Sequence, residues 1–227
     1  MSKRLEGKVA IITGAGTGIG EAIAHKFARE GTRVVVNSLP GDPVEDVANA
    51  IREQGGEAIA YVGDVSDEGH AIRCVQAAID MFGKLDVLVN NAGVHYGYAE
   101  IDQFPVDKFD CITTNNIRSV FLMTKYGMPH LRRTRGNVLN AGSEAGYIGS
   151  PQNTPYGGTK GWIHAFTIGV AVEQAKYGVR ANCYCPGPID TSWTYASSGA
   201  LTEEMEQMLM DATPMARRGT PEEVANL

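Results

Sequence analysis

The chain has 227 residues, enough for one well-buried domain, and its 43% hydrophobic and 20% charged residues are typical of globular proteins. Its net charge of −6 argues against binding to a nucleic-acid backbone, which needs a basic face. No apolar stretch approaches the length of a membrane span, and the apolar run after Lys3 and Arg4 is too short for a signal peptide. We therefore expect a cytoplasmic protein with neither nucleic-acid nor membrane partners.

Strands and helices alternate along the chain. Continuous apolar runs predict strands at residues 9–13, 33–38, 58–64, 85–90, 137–141 and 180–185. Apolar residues spaced three or four apart predict helices at about residues 19–30, 44–54, 72–82, 109–128 and 156–177. Strands buried on both faces and joined by helices form a parallel sheet covered on both sides. Right-handed crossovers then give a doubly wound α/β fold (the Rossmann fold) with three layers, α/β/α, in a single domain over residues 1–227.

Another helix start stands near the end of the chain. Thr220 suits an N-cap, Pro221 suits the first helical position, and Glu223 follows three residues after the cap. Only residues 224–227 remain, and a helix this short is marginal alone. We therefore expect the chain to stop just after beginning a new element.

The four cysteines show no regular spacing. Cys183 and Cys185 lie in an apolar run, where alternate residues share one face of a strand, and Cys74 and Cys111 stand apart. A metal site would need a second cluster of Cys or His, which the sequence does not show. The sequence therefore predicts unpaired core thiols and no metal.

A glycine-rich turn at residues 14–20 follows the first predicted strand and opens the first helix. Glycines let a backbone approach a pyrophosphate, and a helix N-terminus offers it free N–H groups. The spacing is GxxxGxG and not the GxGxxG of the longer dinucleotide fingerprint. A purely structural turn is the alternative, but the place between strand and helix favours a nucleotide site. Its predicted contacts are Gly14, Thr17, Gly18, Ile19 and Gly20.

The end of the second strand should meet the adenosine ribose of a dinucleotide. A carboxylate there would bind the 2′-hydroxyl of NAD, whereas a basic group would favour the 2′-phosphate of NADP. The chain has Asn37, Ser38 and Leu39 there, and Asp42 follows as a turn residue. With no acid at the tip to repel a phosphate, the sequence slightly favours NADP over NAD, with Ser38 as a contact.

The third strand ends in Asp64 and Val65. In a parallel sheet this end lies beside the end of the second strand, so both residues are placed to bracket an adenine. A helix cap is the alternative role for Asp64.

Tyr156 stands thirteen residues after Ser143 and four before Lys160. Residues four apart on a helix share one face, so the Lys160 ammonium is expected beside the Tyr156 phenol. A phenol with a pKa of about 10 is a poor base at neutral pH, and a neighbouring cation favours the phenolate. The pair is therefore predicted to exchange a proton, with Ser143 as a second hydrogen-bond donor toward a substrate oxygen.

With these motifs the whole chain resembles the short-chain dehydrogenase/reductase family in its compact form, and within it the bacterial glucose dehydrogenases and 3-oxoacyl-[acyl-carrier-protein] reductases. The resemblance implies an NAD(P)(H)-dependent oxidoreductase that interconverts a secondary alcohol and a ketone. The motifs that carry it, in chain order, are residues 13–20, Asn90-Asn91-Ala92-Gly93, Asn116, Ser143, Tyr156, Lys160 and the Pro-Gly-Pro-Ile-Asp-Thr run at 186–191.

The resemblance also implies roles for single residues. Tyr156 would be the general acid in reduction and the base in oxidation. Lys160 would lower its pKa and hold the nicotinamide ribose. Ser143 would bind the substrate oxygen, and Asn116 would hold a water of a proton relay. Further residues would line the cofactor: Asn91, Ala92, Gly93, Pro186, Gly187, Ile189 and Thr191.

A substrate lid is implied at about residues 190–218. Its Trp193 and Tyr195 would shape the pocket or anchor the lid to the body. Outside the lid, His95 would border the substrate or lie in a surface loop, and His164 would pack or face solvent.

Family members continue with a full helix, a seventh strand and a tail that shapes the subunit interface. Since this sequence stops earlier, we expect the sixth strand at an exposed edge. We also expect a homo-oligomer, a tetramer or a dimer, with lower stability or an altered assembly.

A sensor or regulatory protein that binds a nucleotide on the same scaffold is the rival hypothesis, because fold alone does not separate the two. The Ser–Tyr–Lys–Asn set favours the enzyme, since a sensor needs no proton relay. The substrate is left open among sugars, acyl thioesters, steroids and small diketones.

Overall fold

The computed structural model describes residues 3–192 and 203–226 and contains a six-stranded parallel sheet. Its strands are β1 (Val9–Ile12), β2 (Arg33–Ser38), β3 (Glu57–Val62), β4 (Val87–Asn90), β5 (Asn137–Ala141) and β6 (Arg180–Tyr184). They lie in the order β3-β2-β1-β4-β5-β6. From β1 the chain proceeds to β2 and β3 on one side of the sheet and then crosses to β4, β5 and β6 on the other. The connections that follow β1 and β4 therefore lead to opposite sides, which opens a crevice at the carboxyl ends of these strands. The predicted doubly wound fold is confirmed.

Eight α-helices are found in the described residues: α1 (Gly18–Arg29), α2 (Val44–Glu53), α3 (Glu68–Phe82), α4 (Val106–Thr113), α5 (Ser119–Thr134), α6 (Thr154–Gln174), α7 (Glu203–Ala212) and α8 (Pro221–Ala225). A π-helical segment, Thr114–Arg118, joins α4 to α5, where the sequence predicts one continuous helix. Such π segments are rare and often mark functional sites. No helix within the described ranges has the length and apolar character to cross a membrane.

The sheet separates two apolar cores because successive residues of a strand point to opposite faces. On β1, Ile11 packs into the core with Val75 of α3 and Met123 of α5. Its neighbour Ile12 packs into the other core with Ile23 of α1 and Ile51 of α2. All six side chains are at most 3% exposed, so both faces of the sheet are covered, as the apolar runs predict.

The helix start near the end of the chain is confirmed. The Thr220 hydroxyl accepts a hydrogen bond from the Glu223 N–H at 3.2 Å, and the Glu223 carboxylate accepts one from the Thr220 N–H at 2.9 Å. Ala225 of α8 is buried in the core beside α1. At the other side of the sheet, β6 is the edge strand of the part that the structure describes, as expected.

Candidate active site

The glycine turn leads from the carboxyl end of β1 into α1. Gly14 and Gly18 both have a φ of 61°, in the left-handed region that favours glycine. A Cβ on Gly14 would lie 2.8 Å from the Ala92 Cα, and a Cβ on Gly20 would fall on the Gly14 carbonyl. The turn therefore requires glycine at these positions.

The N-terminus of α1 is open to a ligand. Thr17 is the N-cap residue, and within the described residues its side chain makes no capping hydrogen bond. The first N–H groups of a helix have no partner inside the helix and form its positive end, so they bind anions such as phosphates. Ile19 packs its side chain against the core, and its contact with a cofactor stays a prediction.

Asn91 ties the glycine turn to the loop after β4. Its Nδ2 donates to the carbonyls of Thr13 and Gly14, both at 3.0 Å. Its Oδ1 accepts from the Tyr184 hydroxyl at 2.9 Å. Tyr184, at the end of β6, was not singled out by sequence, because nothing local links it to a residue 93 positions earlier.

At the end of β2, Asp42 folds back toward the glycine turn. The Ser38 hydroxyl donates a hydrogen bond to the Asp42 carboxylate. A Cβ on Gly16 would lie 2.8 Å from the Asp42 Cβ and 3.3 Å from the Ser38 Cβ. A carboxylate therefore stands at the tip of the strand, where the sequence placed none, and this weighs against the slight preference for NADP.

The end of β3 differs in detail from the prediction. The Asp64 carboxylate accepts from the Ser66 N–H at 2.9 Å, whereas the N-cap of α3 is Asp67, which accepts from the His70 N–H. Val65 is 4% exposed and belongs to the core. Asp64 is therefore not the helix cap, and its contact with an adenine stays a prediction.

The Ser143 hydroxyl lies near the Tyr156 hydroxyl and acts to lower the pKa of the phenol. Ser143 follows β5, and its Oγ also accepts from the Ala145 N–H at 3.2 Å, which fixes the side chain. Burial raises the pKa of Tyr156 to about 12, and Ser143 opposes that rise. The lower pKa that the Tyr–Lys spacing predicts is not found in the chain alone, because burial is the largest influence on the pKa of Tyr156 and raises it.

Lys160 is 5% exposed and lies one turn after Tyr156 on α6. Its Nζ donates to the Ala141 carbonyl at 2.8 Å and lies 5.6 Å from the centre of the Tyr156 ring. Burial lowers the pKa of Lys160 to about 8, while the nearby Cys183 and Cys185 thiols act to raise it. The lysine can therefore gain or lose a proton close to neutral pH.

Asn116 lies in the π-helical segment and is fully buried. Its amide accepts from the Val94 N–H at 2.7 Å and donates to the Val94 carbonyl at 3.0 Å and to the Thr159 hydroxyl at 3.1 Å. The side chain thus locks the loop after β4 onto α6. Both N–H donors of the amide are engaged by protein groups, so a relay water at this residue would bind an oxygen of Asn116.

The segment of residues 91–93 brings the two halves of the site together. Ala92 lies against Gly14, and a Cβ on Gly93 would lie 3.2 Å from the Asn116 Oδ1 and 3.6 Å from the Lys160 Nζ. The glycine turn and the Tyr–Lys pair therefore border one crevice at the carboxyl edge of the sheet.

Residues 186–191 cross this crevice. Thr191 is 9% exposed, and its Cγ2 would lie 3.3 Å from a Cβ on Gly18. Ile189 forms a bridge with Gly219 just before α8. These contacts place the end of the segment beside the glycine turn, and its contact with a nicotinamide stays a prediction.

The start of the same segment lies beside the residue that follows Ser143. The Glu144 N–H donates to the Pro186 carbonyl at 3.1 Å, and a Cβ on Gly187 would lie 2.9 Å from the Glu144 carboxylate. Burial raises the pKa of Glu144. Pro186 and Gly187 thereby connect the segment to the Ser143 side of the crevice.

Two histidines lie near the Tyr156 helix. His95 is 5% exposed, its Nε2 lies 2.9 Å from the Asn153 Oδ1, and its ring meets the Tyr156 ring edge-on at 4.9 Å. His164 is 6% exposed, and its Nε2 lies 3.2 Å from the Cys185 Sγ. The buried position of His95 favours the border of the crevice over a surface loop. The contact of His164 with a cysteine was not predicted.

The four cysteines, all in the described ranges, are unpaired as predicted, but only Cys74 is fully buried. Trp193 and Tyr195 lie outside the described residues, as does the first part of the expected lid. In its described part, Arg218 forms an ion pair with Glu206 of α7 at 2.5 Å.

Comparison with known proteins identifies relatives along the whole chain. A family model described as short chain dehydrogenase matches residues 8–200. An uncharacterized oxidoreductase of Bacillus subtilis is 37% identical over 228 residues, covering 99% of this chain and 84% of the relative. L-fucose dehydrogenase of Bos taurus is 36% identical over 230 residues, covering 99% and 83%. The crystal structure of 3-ketoacyl-(acyl-carrier-protein) reductase from Brucella melitensis, complexed with NADH, superimposes with a TM-score of 0.90 at 34% identity, covering 98% of this chain and 89% of that one.

Proposed function

The chain belongs to the short-chain dehydrogenase/reductase family and is an NAD(P)-dependent oxidoreductase, and from this premise we propose that it interconverts a secondary alcohol and a ketone with Tyr156 as the general acid and base. The observation that carries the proposal is the contact of residues 91–93 with both the glycine turn and Lys160. A dinucleotide whose phosphates bind at the turn would thus extend toward the Tyr–Lys pair.

The residues present fit such a cofactor. Gly14 and Gly20 let the turn pack closely against Ala92, Asn91 and its own backbone, and the exposed Thr17 N-cap leaves the α1 N-terminus accessible to a pyrophosphate. Thr191 and Ile189 would cover the nicotinamide side. The nicotinamide, when bound, supplies or accepts the hydride, and the protein supplies orientation and the proton.

The proton chemistry follows from the pKa values. With its pKa raised to about 12, Tyr156 is a neutral phenol at pH 7 and donates a proton to the oxygen that becomes an alcohol. Ser143 lies near the Tyr156 hydroxyl and is the second donor toward the same oxygen. Lys160, with a pKa of about 8, is suited to return a proton toward Tyr156. In the oxidation direction Tyr156 must first lose its proton.

The test is turnover of the reduced nicotinamide, followed by its near-UV absorbance, with a panel of sugars, acyl thioesters, steroids and diketones. We expect Tyr156→Phe to lower kcat by at least about 100-fold, since general acid catalysis contributes 10²–10⁴-fold. Tyr177→Phe, at an exposed tyrosine outside the crevice, is the matched control and should keep full activity. Unchanged turnover in Tyr156→Phe would show that the catalytic assignment is wrong.

For the cofactor we propose NAD, because the Asp42 carboxylate stands beside Ser38 and Gly16 at the end of β2. There it would accept a hydrogen bond from the ribose 2′-hydroxyl and repel a 2′-phosphate. Asp42→Ala should lower the ratio of kcat/KM for NAD to that for NADP by at least about tenfold. Asp46→Ala, an exposed acid on α2, is the control that should leave the ratio unchanged.

The rival function, a nucleotide-binding sensor, predicts tight cofactor binding without turnover of any alcohol or ketone. Calorimetric binding of NAD together with the activity panel separates the two functions. The grouping of Ser143 and Tyr156 with the buried Lys160 and Asn116 at one crevice supports the enzyme.

We further propose a single catalytic domain, with the lid at about residues 190–218, that assembles as a homo-oligomer. Phe121 on α5 and Ile168 and Val172 on α6 are 45%, 66% and 75% exposed, and such apolar side chains favour association. Sedimentation should give a dimer or a tetramer. A monomer at micromolar concentration would contradict this.

A further inference from the structure

Three ligand-type side chains that are distant in sequence meet between α6 and β6. We name His164, Cys183 and Cys185 the His–Cys cluster. The Cys185 Sγ lies 3.2 Å from the His164 Nε2 and 3.8 Å from the Cys183 Sγ. The three possible ligand atoms all lie within 4.8 Å of one another. Cys183 and Cys185 share a strand face, and this face is the one turned toward His164.

These separations match a tetrahedral zinc site. With Zn–S bonds of about 2.3 Å and Zn–N bonds of about 2.0–2.1 Å, tetrahedral angles require about 3.8 Å between two sulfurs and about 3.5 Å between sulfur and nitrogen. The observed distances of 3.8 Å and 3.2 Å are close to these values. Closing the remaining distance needs side-chain shifts of up to about 1 Å, with no change in the sheet.

The backbone around the imidazole leaves room that only glycine allows. A Cβ on Gly142 would lie 2.5 Å from the His164 Nε2 and 2.7 Å from the Cys183 Sγ. A Cβ on Gly146 would lie 2.6 Å from the His164 Cε1. The Tyr147 ring stacks on the imidazole at 3.9 Å and is itself 71% exposed. The cluster is thus enclosed by backbone on one side and opens toward Tyr147 and solvent on the other.

The imidazole is available as a ligand. Burial lowers the pKa of His164, and the charge of Lys160 adds to this effect, so the ring is neutral at pH 7. Its Nδ1 is buried and has no hydrogen-bond partner among the residues that the structure describes. Metal-binding histidines usually donate this second N–H to an acceptor, and loss of that acceptor weakens affinity 10–100-fold. The site should therefore bind an exchangeable ion.

The charges of the two thiolates favour binding of a dication to the His–Cys cluster. Burial raises the pKa of the Cys183 thiol. Binding breaks two S–H bonds, forms two metal–sulfur bonds and releases two protons to solvent. Two thiolates neutralise a dication, so the bound site adds no net charge beside Lys160. Two thiolates and an imidazole are a donor set that suits zinc.

We propose that His164, Cys183 and Cys185 bind one zinc ion, with a solvent molecule as the fourth ligand on the side of Tyr147. This site does not depend on the proposed reaction, because none of its three ligands acts on substrate or cofactor there.

Cobalt is the spectroscopic probe for the test. The chemically reduced full chain, without nucleotide, is titrated with Co²⁺ and then with Zn²⁺. We expect one Co²⁺ per chain, a thiolate-to-cobalt charge-transfer band, the intense visible bands of a tetrahedral ion, and their loss when Zn²⁺ is added. Cys185→Ser and His164→Gln should weaken Co²⁺ affinity at least about tenfold. The control is Cys111→Ser, whose thiol contacts Tyr96 outside the cluster, and it should bind as the wild type does.

Wild-type protein without a thiolate–cobalt band, or a Cys185→Ser variant with an unchanged band, would overturn the proposal. A second measurement uses the wild type alone, so it does not depend on how the variants fold. Addition of Zn²⁺ in weak buffer with a pH indicator should release about two protons per ion at pH 7. Release of none would also overturn the proposal.

Discussion

Lys160 offers a direct test of how burial sets the electrostatics of the site. The side chain is 5% exposed, and burial lowers its pKa from the ordinary 10.5 to about 8. The change is Lys160→Met, which keeps the length of the side chain and removes the charge. We expect this variant to lose activity and yet to be more stable than the wild type at pH 7.

The magnitude follows from the pKa of Lys160. At about 1.4 kcal/mol per pH unit, a fall from 10.5 to about 8 corresponds to at most about 3 kcal/mol of lost folding free energy. The methionine variant also leaves the Ala141 carbonyl without the hydrogen bond that Nζ donates, which costs about 1–3 kcal/mol. The net gain in the free energy of unfolding is therefore about 1 kcal/mol at pH 7.

The pH dependence of the stability difference between the wild type and Lys160→Met gives a sharper test than its magnitude at pH 7. Below pH 8 the folded and unfolded chains both carry the ammonium, so the burial cost is fully present. Between pH 8 and 10.5 only the unfolded chain keeps the proton. Stability of the wild type relative to the variant therefore rises with pH by about 1.4 kcal/mol per pH unit. By pH 9.5 the wild type should be the more stable protein.

Urea unfolding at pH 7 and pH 9.5, followed by circular dichroism, measures both differences. Lys176→Met, at an exposed lysine, is the control and should change stability by less than about 0.5 kcal/mol at either pH. If Lys160→Met is less stable than the wild type by the same amount at both pH values, burial does not set the pKa of Lys160.

Three further predictions concern the turn, the sheet and the reaction. Gly20→Ala should weaken NAD binding at least about tenfold and lower the free energy of unfolding by about 1–3 kcal/mol, because its Cβ would fall on the Gly14 carbonyl. Calorimetry measures the binding and urea unfolding the stability. Gly169→Ala, whose Cβ meets no neighbour within 4 Å, is the neutral control. Burial acts to raise the pKa of Asp86, but hydrogen bonds from Lys84 and the Val9 N–H outweigh it and the pKa is lowered. The stabilisation by the Asp86 carboxylate is therefore present above pH 3.8 and is lost as the pH falls through the lower pKa of the folded chain. In urea unfolding, Asp86→Asn should lower the free energy of unfolding by about 1–3 kcal/mol at pH 7 and by less at pH 3. Equal losses at the two pH values would contradict this. Because Tyr156 is a neutral phenol below a pKa of about 12, alcohol oxidation should rise steadily from pH 7 to 10 while ketone reduction does not; an oxidation rate independent of pH would contradict its role as base.

The strands and the glycine turn were predictable because their causes are local. A run such as Val34 to Val36 is apolar on both faces, and that pattern fits a parallel strand covered on both sides. The turn was predictable because Gly14 and Gly18 need left-handed φ values at a strand–helix junction. The helix start at Thr220 has the same local origin, since its capping box spans four residues.

The contacts that sequence reasoning missed all join separate elements. Asp42 reaches Ser38 across a turn, Tyr184 reaches Asn91 across the sheet, and His164 meets Cys185 from a different element. Asn90 and Asn140 likewise hydrogen-bond to each other between β4 and β5 at 2.8 Å. A local pattern gives the face of one helix or strand and carries no information about which other element that face meets.

The pKa of Tyr156 shows the physical reason most clearly. The spacing of four residues correctly predicts that Lys160 lies on the same helix face, and that prediction concerns one helix only. Whether the cation lowers the pKa of the phenol depends on how much water remains around both groups, and this is set by β5, β6 and the loop after β4. In the folded chain burial acts on both partners in opposite directions, raising the pKa of Tyr156 and lowering that of Lys160. Because the pKa of Lys160 is lower than that of Tyr156, the lysine loses its proton before the phenol does, and a phenolate–ammonium ion pair is not favoured. At pH 7 the pair is a neutral phenol beside a lysine that holds its proton weakly. This state suits proton donation to a ketone.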